Sequence, residues 1–308
     1  MNPMALLNAM PGAISQGLIW GIMAIGVYIT YKILDVADLT VDGTMCLGGA
    51  VFIMTTMAGL PTPVALLCAF GAGLLAGLAT GLFHTVCGIP AILSGILTQL
   101  ALYSVNLRIM GKSNQPINAN NYDLLVSSRN VKSLGLNNPI FVVGLTVIVT
   151  IGLLYWFFGR ELGASLRATG SNSAMARAQG INTNFTTVLG LMLSNGLVAL
   201  CSALLAQYQG FADVSMGRGA IVIGLAAVII GEVLLGRVFR NFALKLLAVV
   251  IGSVIYYVVY QLVIGSKLLS GDDMKLVTSL IVALFLAVPY WKGKYFNKPG
   301  KKEAVRNA

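Results

Sequence analysis

The chain has 308 residues and a net charge of +10; 57% of its residues are hydrophobic and only 10% are charged. This composition excludes a soluble domain, because a soluble fold would have to expose large apolar patches. It also speaks against a nucleic acid partner, since the basic residues lie between apolar runs and in the tail and form no single basic face.

Nine apolar runs are long enough to cross a bilayer, which takes about 20 mostly apolar residues. The sequence therefore predicts an all-α integral membrane protein with about nine transmembrane helices, within a range of eight to ten. The four cysteines lie far apart inside these runs, which excludes a disulfide framework and a zinc site. The runs lie near 12–31, 40–59, 63–85, 89–109, 139–158, 185–208, 218–235, 242–263 and 274–291.

The first distinctive motif is DVADLTVDG, residues 35–43, which places three carboxylates at the start of the second run. Acidic side chains at membrane depth are costly and usually face protein or water. One interpretation is a broken helix that lines a polar path, with Asp38 or Thr40 capping the helix that follows. The other is a plain interfacial turn. Asp35 and Asp42 complete the acidic set, and Asp42 lies deepest in the next run.

A stripe of small residues runs along the third apolar segment. Gly73, Gly77 and Gly81 recur at every fourth position, so they share one face of a helix. Glycines spaced in this way allow a neighbouring helix to approach closely. The stripe therefore predicts helix packing and indicates no chemistry.

No motif in the chain indicates an enzyme. Gly111-Lys112-Ser113 resembles the end of a Walker A motif, but Asn106 stands where its first glycine is required. His84 is the only histidine, which excludes a histidine metal site. We therefore expect no cofactor, metal or nucleotide on this chain.

A polar, alanine-rich stretch separates the fifth and sixth runs. Glu161–Thr169 can form a short helix ended by Gly170, and Asn172–Gln179 can form a second ended by Gly180. The residues available to cap the second helix are Ser171 and Ser173. The pattern predicts two short helices that project from the membrane.

The second of these helices would present a smooth face with charge beside it. Ala174, Met175 and Ala178 are small or flexible, and Arg167 and Arg177 supply the charge. Such a surface suits insertion into the cleft of a partner protein. The alternative is an ordinary solvated loop, but loops of this length without structure of their own are usually functional or disordered.

Two segments of the chain align without gaps at an offset of 175 residues. Ala37-Asp38-Leu39-Thr40 matches Ala212-Asp213-Val214-Ser215. Five spans separate the two starts, so the copies would run through the membrane in opposite directions, as in many transporters. The alignment predicts two inverted four-helix units, with Asp213 and Ser215 as the counterparts of Asp38 and Thr40.

The tail from residue 292 holds six of the 20 basic residues and should be cytoplasmic. Counting back through nine spans places residues 159–184 in the cytoplasm and the N-terminus outside. The predicted organisation is one transmembrane domain over residues 1–291 and a flexible basic tail over 292–308. Its parts are a first repeat near 12–110, an outer loop 111–138, a linking span 139–158, a cytoplasmic segment 159–184 and a second repeat near 185–291.

Three stretches resemble the permeases of ABC importers of the branched-chain amino acid and ribose type. They begin at Gly17, Gly159 and Asn195, and the resemblance extends from Gly17 to Trp291. The phrase YKILDVADLTVDG is typical of the subgroup associated with tryptophan and tyrosine importers. The resemblance implies a fold similar to that of the vitamin B12 importer.

The resemblance also implies partners. Two permease copies would enclose one translocation path, two copies of a separate ATPase would bind ATP and Mg²⁺, and an extracytoplasmic binding protein would deliver the solute, an amino acid and in first place an aromatic one. The location would be a bacterial inner membrane. The residues that match the ATPase-coupling helices are Leu162, Ser165, Arg167, Ala168, Thr169, Gly170, Ala174, Met175, Arg177, Ala178, Gly180 and Ile181.

Two other classes of function compete with this interpretation. An ion-coupled secondary transporter would also have an inverted repeat, and its ions could bind at Asp38, Asp42, Asp213 or Glu232. Such a transporter does not explain the capped helices of residues 161–180. A membrane scaffold without transport is the third alternative.

Overall fold

The computed structural model describes residues 3–118, 122, 124–128, 138–236, 238, 239 and 241–265, together with 276, 279, 280, 282–284 and 287. It is almost entirely helical. The helices are α1 Pro3–Tyr28, a π-helix Ile29–Ile33, α2 Val41–Met57, α3 Thr62–Thr85, α4 Ala91–Met110, α5 Pro139–Phe158, α6 Glu161–Ser171, α7 Ser173–Ala178, α8 Thr183–Gln209, α9 Ala220–Leu235 and α10 Phe242–Gly265. Two short strands, β1 Asn114–Pro116 and β2 Phe211–Asp213, form an antiparallel pair.

Eight of the nine predicted runs correspond to apolar helices. Six are long and apolar enough to cross a membrane, and α2 and α9 are shorter. The predicted all-α membrane fold is therefore confirmed. Most of the ninth run, near 274–291, and the basic tail lie outside the described residues, so the count of nine stays a prediction.

The helix boundaries follow from local capping. Asn138 and Asn182 precede α5 and α8, and each side chain accepts a hydrogen bond from a backbone amide of the first turn. Gly111 and Gly210 end α4 and α8 in the left-handed conformation. Glycine adopts it readily because it has no Cβ atom to collide with the backbone. These caps explain why helix ends could be placed from sequence within a few residues.

Two helices form the centre of the bundle. Within the most apolar 18 residues of each span, 78% are buried in the span of α1 and 72% in α8, against 22% in α5. Gly12 lies near Tyr208 and Gly26 near Ser194, so α1 and α8 run antiparallel. The periphery, including α5, is left to face lipid.

The outer helices pack on the central helix from the other half of the chain, an arrangement here called crosswise packing. α10 packs along α1, with Val254 beside Gly17 and Val250 beside Gly21, while α3 packs along α8. α2 lies parallel to α8, and α9 lies against both α1 and α10. One end of the bundle therefore has α6 and α7, here called the hairpin end, and the other has the β1–β2 pair, called the strand end.

Candidate functional site

The chain breaks between the π-helix and α2, and this break is the first candidate site. Residues 34–40 form no helix, and Asp35 adopts a φ of 56°, which is unusual for any residue except glycine. Leu34 touches Gly190, and Asp38 is bonded to Asn195, near the middle of the 27-residue α8. The chain therefore turns back inside the bundle and α2 starts there.

Asp38 is the centre of a buried polar network. Its side chain is only 2% exposed, and its two carboxylate oxygens accept hydrogen bonds from the Thr40 amide at 2.9 Å and the Asn195 amide group at 2.6 Å. Thr44 donates to the carbonyl oxygen of the Asn195 side chain at 2.7 Å. Because buried polar groups without partners are costly, this network specifies how α2 sits on α8.

Thr40 differs from its predicted role. It stands at the N-cap position of α2, but its side chain makes no capping hydrogen bond. Instead its hydroxyl lies 2.7 Å from that of Thr80, which donates to Thr98 at 3.0 Å. The hydroxyl thus links α2 to α3 and α4, while the Asp38 carboxylate accepts from the Thr40 amide at the helix start.

Asp42 lies at the second break, where α9 begins. Its two oxygens accept hydrogen bonds from the backbone amides of Gly219 at 3.0 Å and Ile221 at 3.1 Å. A carboxylate at this position satisfies free amides at a helix N-terminus and opposes the positive end of its dipole. α2 and α9 therefore start beside each other inside the bundle, joined through this one side chain.

Asp213 and Ser215 repeat the local geometry of Asp38 and Thr40. The Asp213 carboxylate accepts from the Ser215 amide at 2.6 Å, as Asp38 accepts from Thr40. Asp213 belongs to β2 at the strand end, however, and is partly exposed. The structure therefore buries Asp38 within the bundle, whereas Asp42 and Asp213 are partly exposed and Asp35 and Ser215 are exposed.

The glycine stripe of α3 lies directly against α8. A methyl group at Gly73 or Gly77 would collide with the backbone of Asn195 or Leu191, and Gly81 meets Val188. The two helices therefore touch backbone to backbone along this line. This contact holds Asn195 in the position from which it binds Asp38.

The hairpin, residues 161–180, consists of α6 and α7 as predicted, with two differences. α6 passes through Gly170 to Ser171 and does not end at the glycine. The N-cap of α7 is Asn172, whose side chain accepts from the Met175 amide at 3.0 Å; Ser171 and Ser173 do not fill this role. Gly180 has a φ of 83° and ends the hairpin in the left-handed conformation.

One face of the hairpin is held by the bundle and the other is free. Leu166 is fully buried, and Thr169 is buried with its hydroxyl 2.8 Å from that of Thr186. Thr169 therefore faces the bundle and not the exposed side of the hairpin. Ser165, Ala168, Gly170 and Ile181 are partly exposed. The exposed members of the predicted set are Leu162, Arg167, Ala174, Met175, Arg177, Ala178 and Gly180.

Gly170 joins the hairpin to the break. A methyl group at this position would collide with the carbonyl oxygen of Ile33 and would approach Leu34. Only glycine lets α6 rest directly on the backbone at the end of the π-helix. The break that begins at Leu34 is therefore in direct contact with the hairpin.

Glu232 forms an ion pair with Lys32, which lies far from it in the sequence. Its carboxylate lies 2.8 Å from the Lys32 ammonium group, in an ion pair that is about half exposed. The pair connects α9 with the π-helix near the hairpin end. Since exposed ion pairs contribute little, this pair adds little to stability; it shows that these two helix ends lie side by side.

Sequence reasoning missed the most connected polar side chains. Asn195 and Ser202 are fully buried, and Ser202 donates to the Met45 carbonyl of α2. The available signal was an amide within the apolar run 185–208, because polar groups there must find partners inside the bundle. Nothing in the sequence indicates that the partners of Asn195 and Ser202 lie 157 residues earlier in the chain.

Comparison with known proteins decides the class of this molecule. Residues 10–289 match the family described as branched-chain amino acid transport system / permease component. The chain belongs to this family. Because the match covers the central helices, the break and the hairpin together, the resemblance drawn from the three stretches is confirmed, and the chain is a permease of the ABC importer type.

Individual relatives agree with this assignment. The permease is 41% identical over 281 residues, 91% of each chain, to a tyrosine transport system permease protein of Clostridioides difficile strain R20291. It is 29% identical over 256 residues to the galactofuranose transporter permease protein YtfT of Escherichia coli K12, covering 82% of this chain and 70% of that one. Its fold is similar to that of a solved chain of PsaBC from Streptococcus pneumoniae in complex with Fab, with a TM-score of 0.52 and 18% identity over 92% and 94% of the two chains.

Proposed function

We propose that this permease forms the translocation path of an ABC importer for an amino acid, in first place an aromatic one. Family membership carries the proposal, and the solute class is supported by the 41% identical tyrosine transport system permease. Two copies of the chain enclose one path. An extracytoplasmic binding protein delivers the solute, and two copies of a separate ATPase hold ATP and Mg²⁺.

The ATPase docks on the exposed face of the hairpin. Met175 and Arg177 lie there, on a helix capped at both ends, so the face is rigid enough to transmit force. Leu162 adds an apolar contact on α6. The hairpin end is then cytoplasmic, which agrees with the basic tail, and the strand end faces the binding protein.

The two breaks convert movement of the hairpin into opening of the path. Pressure on α6 reaches Ile33 through Gly170, and the turn from Ile33 leads to Asp38. Asp42 connects α2 to the start of α9. The matched Asp38–Thr40 and Asp213–Ser215 geometry and the crosswise helix packing support an inverted repeat, in which α1 to α4 form one unit and α8 to α10 with the ninth run form the other.

Affinity purification from native membranes tests the proposal. The tagged chain, gently solubilised, should bring a Walker-motif ATPase with it, as identified by mass spectrometry. Replacing Met175 and Arg177 by glutamate should abolish this recovery. Lys112→Glu at the strand end reverses a surface charge as Arg177→Glu does, and it should leave the recovery intact. Recovery of the chain alone under several detergents, with uptake that follows an ion gradient, would overturn the proposal in favour of a secondary transporter.

A further inference from the structure

A cleft at the hairpin end lies beside the contact of Gly170 with Ile33, and the proposed transport cycle gives no ligand to it. It has a volume of about 910 Å³ and lies where the π-helix, the end of α5, the second half of α6 and the start of α10 meet. Among the described residues that line it, four are cationic and none is acidic. The cationic residues are Lys32, Arg160, Arg167 and Lys245.

The positive charge of the cleft is only partly neutralised. Lys32 is paired with Glu232, and one guanidinium nitrogen of Arg167 donates to the Phe158 carbonyl at 3.1 Å. Arg160 stacks over Trp156 with its guanidinium carbon 5.1 Å from the ring centroid. Lys245 is exposed. The cleft thus offers at least two hydrogen-bonding cations to an anionic group.

A second, apolar groove adjoins the cleft. It has a volume of about 600 Å³, lies between α3, α5 and α8, and is lined by leucines, Phe70, Phe157 and Trp156. Trp156 therefore lines both the cationic cleft and the apolar groove, and it is 60% exposed. Tryptophan and tyrosine favour the boundary between lipid tails and headgroups, and Tyr155 stands beside it.

We propose that the cleft and the groove together bind one anionic phospholipid. The headgroup phosphate lies between Arg160 and Lys245, and an acyl chain lies in the groove past Trp156. Charge complementarity selects an anionic headgroup, and the adjoining groove selects a lipid over a soluble phosphate. α5 is the least buried of the candidate spans, so the site opens to the bilayer. The bound lipid braces the base of α6 against α10.

Native mass spectrometry of the detergent-purified permease tests this site. With phosphatidylglycerol we expect one retained lipid per chain, and with phosphatidylcholine of the same acyl chains at least tenfold less. The double variant Arg160→Gln and Lys245→Gln should reduce phosphatidylglycerol retention about tenfold. Lys112→Gln, which also removes an exposed lysine but at the strand end, should leave it unchanged. Thermal unfolding in detergent checks that each variant is folded.

Each other result contradicts the site as proposed. Equal retention of the two lipids, or retention that the double variant does not alter, would show that the cationic cleft does not select the headgroup. Displacement of the lipid by millimolar glycerol phosphate alone would assign the cleft to a soluble anion. Loss of lipid when the complete complex with the ATPase is measured would make the cleft an ATPase contact. All of these outcomes are separable from transport, because the measurement needs no solute or ATP.

Discussion

Replacing Gly170 by alanine tests the contact between the hairpin and the break. The added methyl group would meet the Ile33 carbonyl at a distance that no real Cβ contact has, so α6 must shift outward. Overpacking of this kind costs about 1–3 kcal/mol. The loss of glycine flexibility within a helix returns about 0.5–1 kcal/mol. Taking the middle of both ranges, we expect a net destabilisation of about 1 kcal/mol, with the fold retained.

Gly152→Ala is the matched control, because Gly152 is also helical but has nothing within reach of an added methyl group. It should gain about 0.5–1 kcal/mol from helix propensity alone. Comparing the two unfolding midpoints in detergent therefore isolates the cost of the collision with Ile33. Each kcal/mol should shift the midpoint by roughly 2–4 °C.

The functional assay is ATP-driven uptake into vesicles that contain the complete importer. Because the shifted α6 no longer rests on Ile33, Gly170→Ala should reduce uptake per ATP hydrolysed. Gly152→Ala should transport normally. Unchanged coupling in a Gly170→Ala protein that is measurably destabilised would show that the hairpin does not act through Ile33, and the proposed path to Asp38 would be wrong.

Three further changes address the hairpin and the buried acids. Met175→Glu with Arg177→Glu should abolish solute-stimulated ATP hydrolysis by the complex without changing the unfolding midpoint, because both side chains are exposed. Asn195→Leu should lower the free energy of unfolding by about 1–3 kcal/mol for each group that loses its partner, chiefly the Asp38 carboxylate, as measured by thermal unfolding. Asp42→Ala should cost about 0.5–2 kcal/mol and increase hydrogen exchange in the first turn of α9, since two of its amides lose their acceptor.

For each of these three predictions, one result would contradict it. Hydrolysis that stays fully coupled would remove the ATPase from the hairpin. An Asn195→Leu protein as stable as the parent would show that Asp38 finds other donors. Exchange that is unchanged in α9 but faster elsewhere would mean that Asp42 acts on another element.

The sequence by itself determined the class of the protein, most helix boundaries and the hairpin. These features are local: apolar runs of a given length specify helices in a bilayer, and asparagine or glycine at a run's end specifies where the helix begins or stops. The motif of residues 35–43 and its echo at 212–215 were visible for the same reason. The sequence predicts a helix end at Gly170, but the glycine lies inside α6. Local rules cannot tell a glycine that ends a helix from one that allows a close contact with another segment.

Only the tertiary structure decided which polar groups meet. Asp38 and Asn195 are 157 residues apart in the sequence, and Asp42 and Gly219 are 177 apart. Gly170 also contacts a residue far from it in the sequence, Ile33. No periodicity along the chain encodes such pairs, because they depend on how helices that are alike in composition cross in space. An apolar helix has many equivalent faces, and the buried hydrogen bonds and glycine contacts select one arrangement among them.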